Sequence, residues 1–292
     1  MGDRTDTTPL LRTVLAPLAL SPRAAAVACE ARRWARLLGA ELVLLHVGRD
    51  EPAVRSRFDD LLRQYDLTEH RLLFVPGAGA MPGAGAGKVI VRVAGELQAD
   101  LIVAGALEKE GALSYYVGSV ARRVARRAPC SVLLLTEPKV EAPLPRHWVV
   151  TVRPDQATGR MLRFLRSVSE REKPDRIEAV SEYNLTGIDW ALESDLDART
   201  AEAQRRTIHR QEQARLADFL MEAEFSDPAI RPICLAGRVG YESSEYARRE
   251  GADLLIAPAP RRLGFWDKFI QHGVEFALES LPCALWLYRP NE

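Results

Sequence analysis

The sequence predicts an α/β protein of two tandem domains, each a doubly wound, five-stranded parallel sheet. Three observations predict it. Short apolar runs alternate strictly with segments of helical period. Two blocks of sequence recur at one common spacing, and a proline-rich stretch separates the copies.

In the first half the apolar runs are Thr13 to Leu18, Glu41 to Val47, Arg71 to Val75, Leu101 to Gly105 and Ser131 to Thr136. Between them lie Ala24 to Leu38, Pro52 to Tyr65, Val89 to Leu97 and Val117 to Arg127, each with apolar residues three and four apart. Nearly continuous apolar strands joined by helical crossovers imply a parallel sheet with both faces covered, because each right-handed crossover packs its helix back on the sheet.

The second half repeats the plan. Strands are expected near Trp148 to Val152, Arg176 to Ser181, Ile230 to Leu235, Leu254 to Pro258 and Ala284 to Tyr288, with a long, charged second helix at about Asp195 to Ala223. Ala99-Asp100-Leu101-Ile102-Val103-Ala104-Gly105 returns as Ala252-Asp253-Leu254-Leu255-Ile256-Ala257-Pro258. At the same spacing, Pro129-Cys130-Ser131-Val132-Leu133-Leu134-Leu135 returns as Pro282-Cys283-Ala284-Leu285-Trp286-Leu287-Tyr288. So long a period means duplicated domains rather than a solenoid. Residues 137–145 contain three prolines and form the natural linker, placing the domains at 1–138 and 146–292.

Composition narrows the function. With 40 Lys+Arg against 40 Asp+Glu in 292 residues, the zero net charge lacks the footprint of a dedicated nucleic-acid binder. The basic cluster Arg122, Arg123, Arg126 and Arg127 reads as a solvated helix face. No run approaches the roughly 18 apolar residues of a membrane span, and the opening MGDRTDTTPL has acids where a signal peptide needs cations. A cytoplasmic protein is expected. Cys29, Cys130, Cys234 and Cys283 are far apart with no C-x-x-C pair, so reduced, mostly buried thiols are expected, with no metal.

Several motifs fail. Gly87-Lys88 ends a glycine-rich stretch from Gly77, but a Walker A loop needs Gly at 82 and Ser or Thr at 89, where the chain has Pro82 and Val89. The Rossmann fingerprint fails there too, leaving residues 77–87 as a glycine-rich strand-to-helix loop. There is no G-x-S-x-G elbow and no H-E-x-x-H. Of the five histidines, His46 reads as a packed strand-end residue, and His70, His147, His209 and His272 as exposed rather than catalytic.

Open parallel sheets bind ligands beyond the carboxyl ends of their strands, where strand order reverses, so the candidate site lies in the loops after strands one and four. Gly105 lets the backbone turn or approach a ligand, and Gly118-Ser119, where the next helix begins, offers unpaired N–H groups and a hydroxyl to an anion.

With Leu44-Leu45-His46-Val47, Ala99 to Val103, Gly118-Ser119-Val120-Ala121 and Ala128-Pro129-Cys130-Ser131-Val132-Leu133-Leu134, the chain resembles the universal stress protein family as a tandem pair. The resemblance implies strand order 3-2-1-4-5 in each half. It also implies that the two fifth strands pair as an intramolecular pseudo-dimer, other surfaces being left for a homodimer. It further implies an adenine nucleotide, ATP or AMP, bound in domain 1 by Val47, Gly105, Gly118 and Ser119. The family's nucleotide-binding members carry G-x2-G-x9-G-[ST] after strand four and an Asp after strand one. Here the second glycine is Glu108, whose carboxylate repels a polyphosphate, and the Asp position is Ala19, which removes an acceptor for the nucleoside. Gly111 rescues the turn only if the loop is rearranged. In domain 2 the corresponding positions are Pro258, Arg261, Gln271 and His272, so the motif is gone. A different anion site at Arg153, Asp155, Arg261 and Arg262 is weighed there against solvated loop charges.

Two functions compete: a stress-response protein that acts by binding, with a nucleotide in domain 1, and a scaffold for an unknown protein partner with no nucleotide. A weak ATP hydrolase ranks behind both, since it needs a metal carboxylate and an attacking group that no motif supplies.

Overall fold

A computed structural model of the chain describes residues 9–68, 70–77, 85–108, 115–116, 118–141, 143–185, 198–225, 230–259, 277–278 and 281–289. The first half runs β1 (Thr13–Pro17), α1 (Ala24–Leu38), β2 (Glu41–Val47), α2 (Pro52–Gln64), β3 (Arg71–Val75), α3 (Ala86–Glu96) and β4 (Leu101–Gly105). A short hairpin follows, β5 (Leu107–Glu108) and β6 (Tyr115–Tyr116), then α4 (Ser119–Arg127) and β7 (Ser131–Leu135). The second half runs β8 (His147–Thr151), α5 (Gln156–Glu172), β9 (Arg176–Tyr183), α6 (Ala198–Glu222), β10 (Ile230–Ala236), α7 (Glu242–Arg249), β11 (Leu254–Pro258) and β12 (Ala284–Tyr288).

Local chemistry sets the boundaries. Helix α1 stops at Gly39, whose left-handed backbone (φ 69°) returns its N–H to the last turn. Helix α2 opens on Pro52, where a missing N–H costs nothing. The Asp155 carboxylate caps α5 by accepting the Thr158 N–H at 2.7 Å. Helix α3 begins at Ala86, ahead of the apolar run at Val89, because the left-handed Gly85 (φ 78°) turns the chain into it. Helix α4 begins at Ser119 rather than Val117. The helix expected before the last strand falls mostly outside the described residues.

One ten-stranded sheet runs through the molecule in the order β10-β9-β8-β11-β12-β7-β4-β1-β2-β3. Each half has the expected order 3-2-1-4-5 with parallel pairing. The halves join where β12 pairs antiparallel with β7, placing Trp286 opposite Leu133. That pairing consumes the exposed apolar edge each fifth strand would otherwise present, and the pseudo-dimer is thus built within one chain.

The Ala-Asp-Leu repeat has a backbone purpose. Asp100 accepts the N–H groups of Arg12 and Thr13 at 2.7 and 2.9 Å, and Asp253 accepts those of Arg146 and His147 at 2.9 and 2.8 Å. One carboxylate per half thereby ties the start of the fourth strand to the start of the first.

Alternation along the strands divides the core into two layers. Val14 and Ala16 face one cluster with Trp34 and Leu38 of α1, Phe58 of α2 and Leu162 and Leu165 of α5. Leu15 faces the other, with Val89, Ile90 and Val93 of α3, Val124 of α4 and Tyr246 of α7. Both layers cross the junction between halves. There Trp286, fully buried, meets Trp34 edge-to-face at 5.0 Å and Phe164 at 5.8 Å. Buried Arg289 donates its N–H to the Ser131 hydroxyl at 2.9 Å, and burial pulls its guanidinium pKa down to about 10. The linker is docked rather than loose, since Arg33 donates to the carbonyls of Lys139 and Val140 at 2.7 and 2.5 Å. All four cysteines are free and buried, as expected.

Candidate functional site

Strand order reverses between β1 and β4, and the segments after these strands form the mouth of the first half. Leu18 leaves β1 by donating its N–H to Leu45 O at 2.8 Å, and Ala106 leaves β4 by donating to Leu135 O at 2.8 Å. Arg23 bridges the two segments, its guanidinium donating to Ala106 O at 3.3 Å. Ala19 is exposed between them.

Val47, Gly105, Gly118 and Ser119 are all described. Val47 ends β2, half-buried and paired with Val75. Gly105 ends β4 without a left-handed backbone, and a Cβ there would sit a tight 3.1 Å from the Val27 side chain of α1. Its role is close packing of helix on sheet. Gly118 is the buried N-cap of α4 and Ser119 its exposed first residue. Among the described residues no side chain caps this helix, and its first turn has no acid, which suits its N–H groups to an anion.

The hairpin brings these pieces together. Leu107, two residues beyond Gly105, pairs with Tyr116, two residues before Gly118. The stretch read as a loop therefore folds back as a strand ladder and returns the start of α4 to the end of β4. Glu108 is a ladder residue paired with Tyr115. Gly111 lies outside the described residues, as does most of the glycine-rich loop 77–87.

The second half has an equivalent mouth with different chemistry. Val152 N donates to Val180 O at 2.7 Å and Ala259 N to Tyr288 O at 3.0 Å, matching Leu18 and Ala106. Arg153 therefore stands where the first half has Ala19, and Pro258 where it has Gly105. Thr13 pairs with Glu41 and His147 with Arg176. Six residues on, Val47 of β2 has Glu182 as its counterpart in β9. The Glu182 carboxylate accepts the N–H groups of Gly240 and Ser243 at 2.5 and 2.6 Å, filling the N-terminus of α7. Asp155 is a helix cap, Arg153 is exposed, and Arg261 and Arg262 lie outside the described residues.

Sequence reading missed Arg23, Glu182 and a second carboxylate, Glu178. The available signal was acid within the apolar run of β9, Arg-Ile-Glu-Ala-Val-Ser-Glu-Tyr. Glu178 is wholly buried and accepts from Arg176 at 2.6 Å, His147 at 2.8 Å and the Tyr246 hydroxyl at 2.9 Å. Burial raises its pKa, but these hydrogen bonds outweigh burial and hold the carboxyl below its ordinary value. Burial and the Glu178 charge push the Tyr246 phenol up to about 12. The cluster lies at the amino ends of β8 and β9, away from the mouth.

The histidines need a correction. His46 packs as expected, donating from Nδ1 to Leu18 O at 3.0 Å beside Phe58 and Phe74. His70, His147 and His209 are half-buried rather than exposed, His147 on Glu178 and His209 on the Tyr183 hydroxyl at 2.8 Å. His272 lies outside the described residues. Of the four arginines on α4, Arg123 and Arg127 are exposed and Arg122 and Arg126 half-buried, Arg122 reaching Leu278 O at 3.4 Å. Among the described residues no cluster of His, Cys, Asp or Glu could hold a metal, and no helix is long and apolar enough to cross a membrane.

Residues 83–136, from the glycine-rich loop through α3, β4 and α4 to the end of β7, match the model of the universal stress protein family. The family resemblance holds. The universal stress protein fold extends along the whole chain. A functionally unknown protein from Pseudomonas aeruginosa superposes with a TM-score of 0.64 at 16% identity, over 96% of this chain and 93% of that one. A universal stress protein from Archaeoglobus fulgidus superposes with a TM-score of 0.59 at 10% identity, over 96% and 98%. At these identities the likeness is one of fold. No curated protein matches the sequence.

Proposed function

We propose that this tandem protein of universal stress type acts by binding, in the cytoplasm and in response to stress. Its first half takes one adenine nucleotide, ATP or AMP, and its second half serves as the fixed pairing partner. The observation that carries the reading is that the hairpin returns the start of α4 to the end of β4. That start, with no side-chain cap among the described residues, is suited to a phosphate, with Gly118 and Ser119 of α4 as its donors. In the second half a carboxylate, that of Glu182, holds the N–H groups at the start of α7, the helix that corresponds to α3, whereas in the first half the same register position, Val47, is apolar. Val47 would face the adenosine.

One observation favours the rival reading, a scaffold for a protein partner without nucleotide. Neither half has an Asp two residues beyond the first strand, where Ala19 and Arg153 stand, and Arg23 already spans the first mouth.

Calorimetric titration of the nucleotide-stripped protein with ATP and AMP, beside a denatured sample assayed for copurified nucleotide, separates them. Micromolar binding at one site per chain, abolished by Gly118→Asp without a change in apo melting, is expected. No binding and no copurified nucleotide would leave the scaffold.

A further inference from the structure

A cavity of about 260 Å³ opens at the opposite end of the first half's sheet from Val47 and Gly105. It lies between the last turns of α1 and the starts of β2 and β3, lined by Arg32, Ala35, Arg36, Glu41, Leu42 and His70. Arg32 and Arg36 are one turn apart on α1 and share a wall. Arg32 is held in place, one end of its guanidinium donating to Asp66 O at 2.6 Å.

Two polar atoms around this cavity are unsatisfied. Arg32 Nε and His70 Nδ1 are both buried with no hydrogen-bond partner among the described residues. Buried polar groups are nearly always paired, and one that is not calls for a water, an ion or a ligand. Among the described residues the wall carries the guanidinium groups of Arg32 and exposed Arg36 and the carboxylate of exposed Glu41, a lining rich in donors for an anion.

The geometry points to a binding site for a small oxyanion, a phosphate or a carboxylate, held by Arg32 and Arg36. The planar guanidinium matches either group with paired N–H donors, and Arg32 is anchored beside the cavity by its bond to Asp66 O. Size limits the ligand. The volume equals roughly nine waters at about 30 Å³ each, below the range of about 300–1,000 Å³ for drug-sized ligands, and it suits a single phosphate or small acid.

The test is calorimetric titration of the full chain, at low ionic strength, with inorganic phosphate and separately with malonate. One site per chain is expected for at least one of them, weakened about tenfold or more by Arg36→Gln and by Arg32→Gln. Phosphate alone assigns the site to phosphates, malonate alone to carboxylates. Melting of each apo variant checks its fold. If Arg32→Gln does not fold, Arg36→Gln and the ring resonances of His70, which must shift on adding the anion, still decide. No binding of either anion, affinity untouched by Arg36→Gln with the His70 ring unmoved, or binding removed by Gly118→Asp instead would each overturn the proposal.

Discussion

Glu182 occupies in β9 the register position that Val47 occupies in β2, and its carboxylate takes the N–H groups of Gly240 and Ser243. The second half thereby places a carboxylate at the start of α7, the helix that corresponds to α3. If the mouth of the first half takes a nucleotide, Val47→Glu should abolish ATP and AMP binding, since a carboxylate there would repel phosphate and displace apolar contact with the base. Val47 is half-buried at a strand end, so apo stability should change little. Unchanged affinity in calorimetry would remove Val47 from the site.

Asp100 and Asp253 each hold two backbone N–H groups, and either change to Ala leaves those donors without their carboxylate. Each should cost about 1.5–3 kcal/mol, the range for hydrogen bonds to a charged group. The two sites share no partner, so the double variant should lose the sum within about 0.5 kcal/mol. Urea unfolding midpoints at constant m-value provide the measurement.

Glu178 gives the fold an acid dependence of definite sign. Its folded-state carboxyl lies below the ordinary 4.5, so its contribution is complete above that value and is lost as pH falls through the folded value. The stability difference between wild type and Glu178→Gln should shrink as pH falls below about 4.5. Denaturant titrations from pH 3 to 7 would show it. A difference that does not change across that range would contradict the ionised, hydrogen-bonded state of Glu178.

Trp286 of the second half packs against Trp34 of the first and Phe164 of its own half, at the β7–β12 junction. Trp286→Ala should cost about 3–5 kcal/mol through the cavity it leaves. It should also weaken the coupling of the halves, so that one cooperative unfolding transition becomes two. Scanning calorimetry distinguishes these outcomes. A single transition lowered in temperature would mean that the ladder of β7 with β12 suffices to couple the halves.

The sequence by itself determined the alternation of strands and helices, the duplication and the buried thiols, because strand and helix leave periods of two and 3.6 in the apolar pattern. It also determined where the proposed mouth would lie, since that follows from strand order. The hairpin β5–β6 was not legible, because two-residue strands leave no period. The repeated Asp100 and Asp253 were visible as letters, but their purpose, binding the N–H groups at the start of β1 and β8, joins residues far apart in the chain. Only the tertiary structure decided what Glu182 and Glu178 do. The difference between a solvated surface acid and a carboxylate that fills a helix N-terminus or anchors a buried cluster lies in which donors surround it. The same holds for the cavity beside Arg32, which exists only where the end of α1 meets the starts of β2 and β3. Period fixes which face of an element is buried; what a polar side chain on that face meets is set by elements distant in sequence.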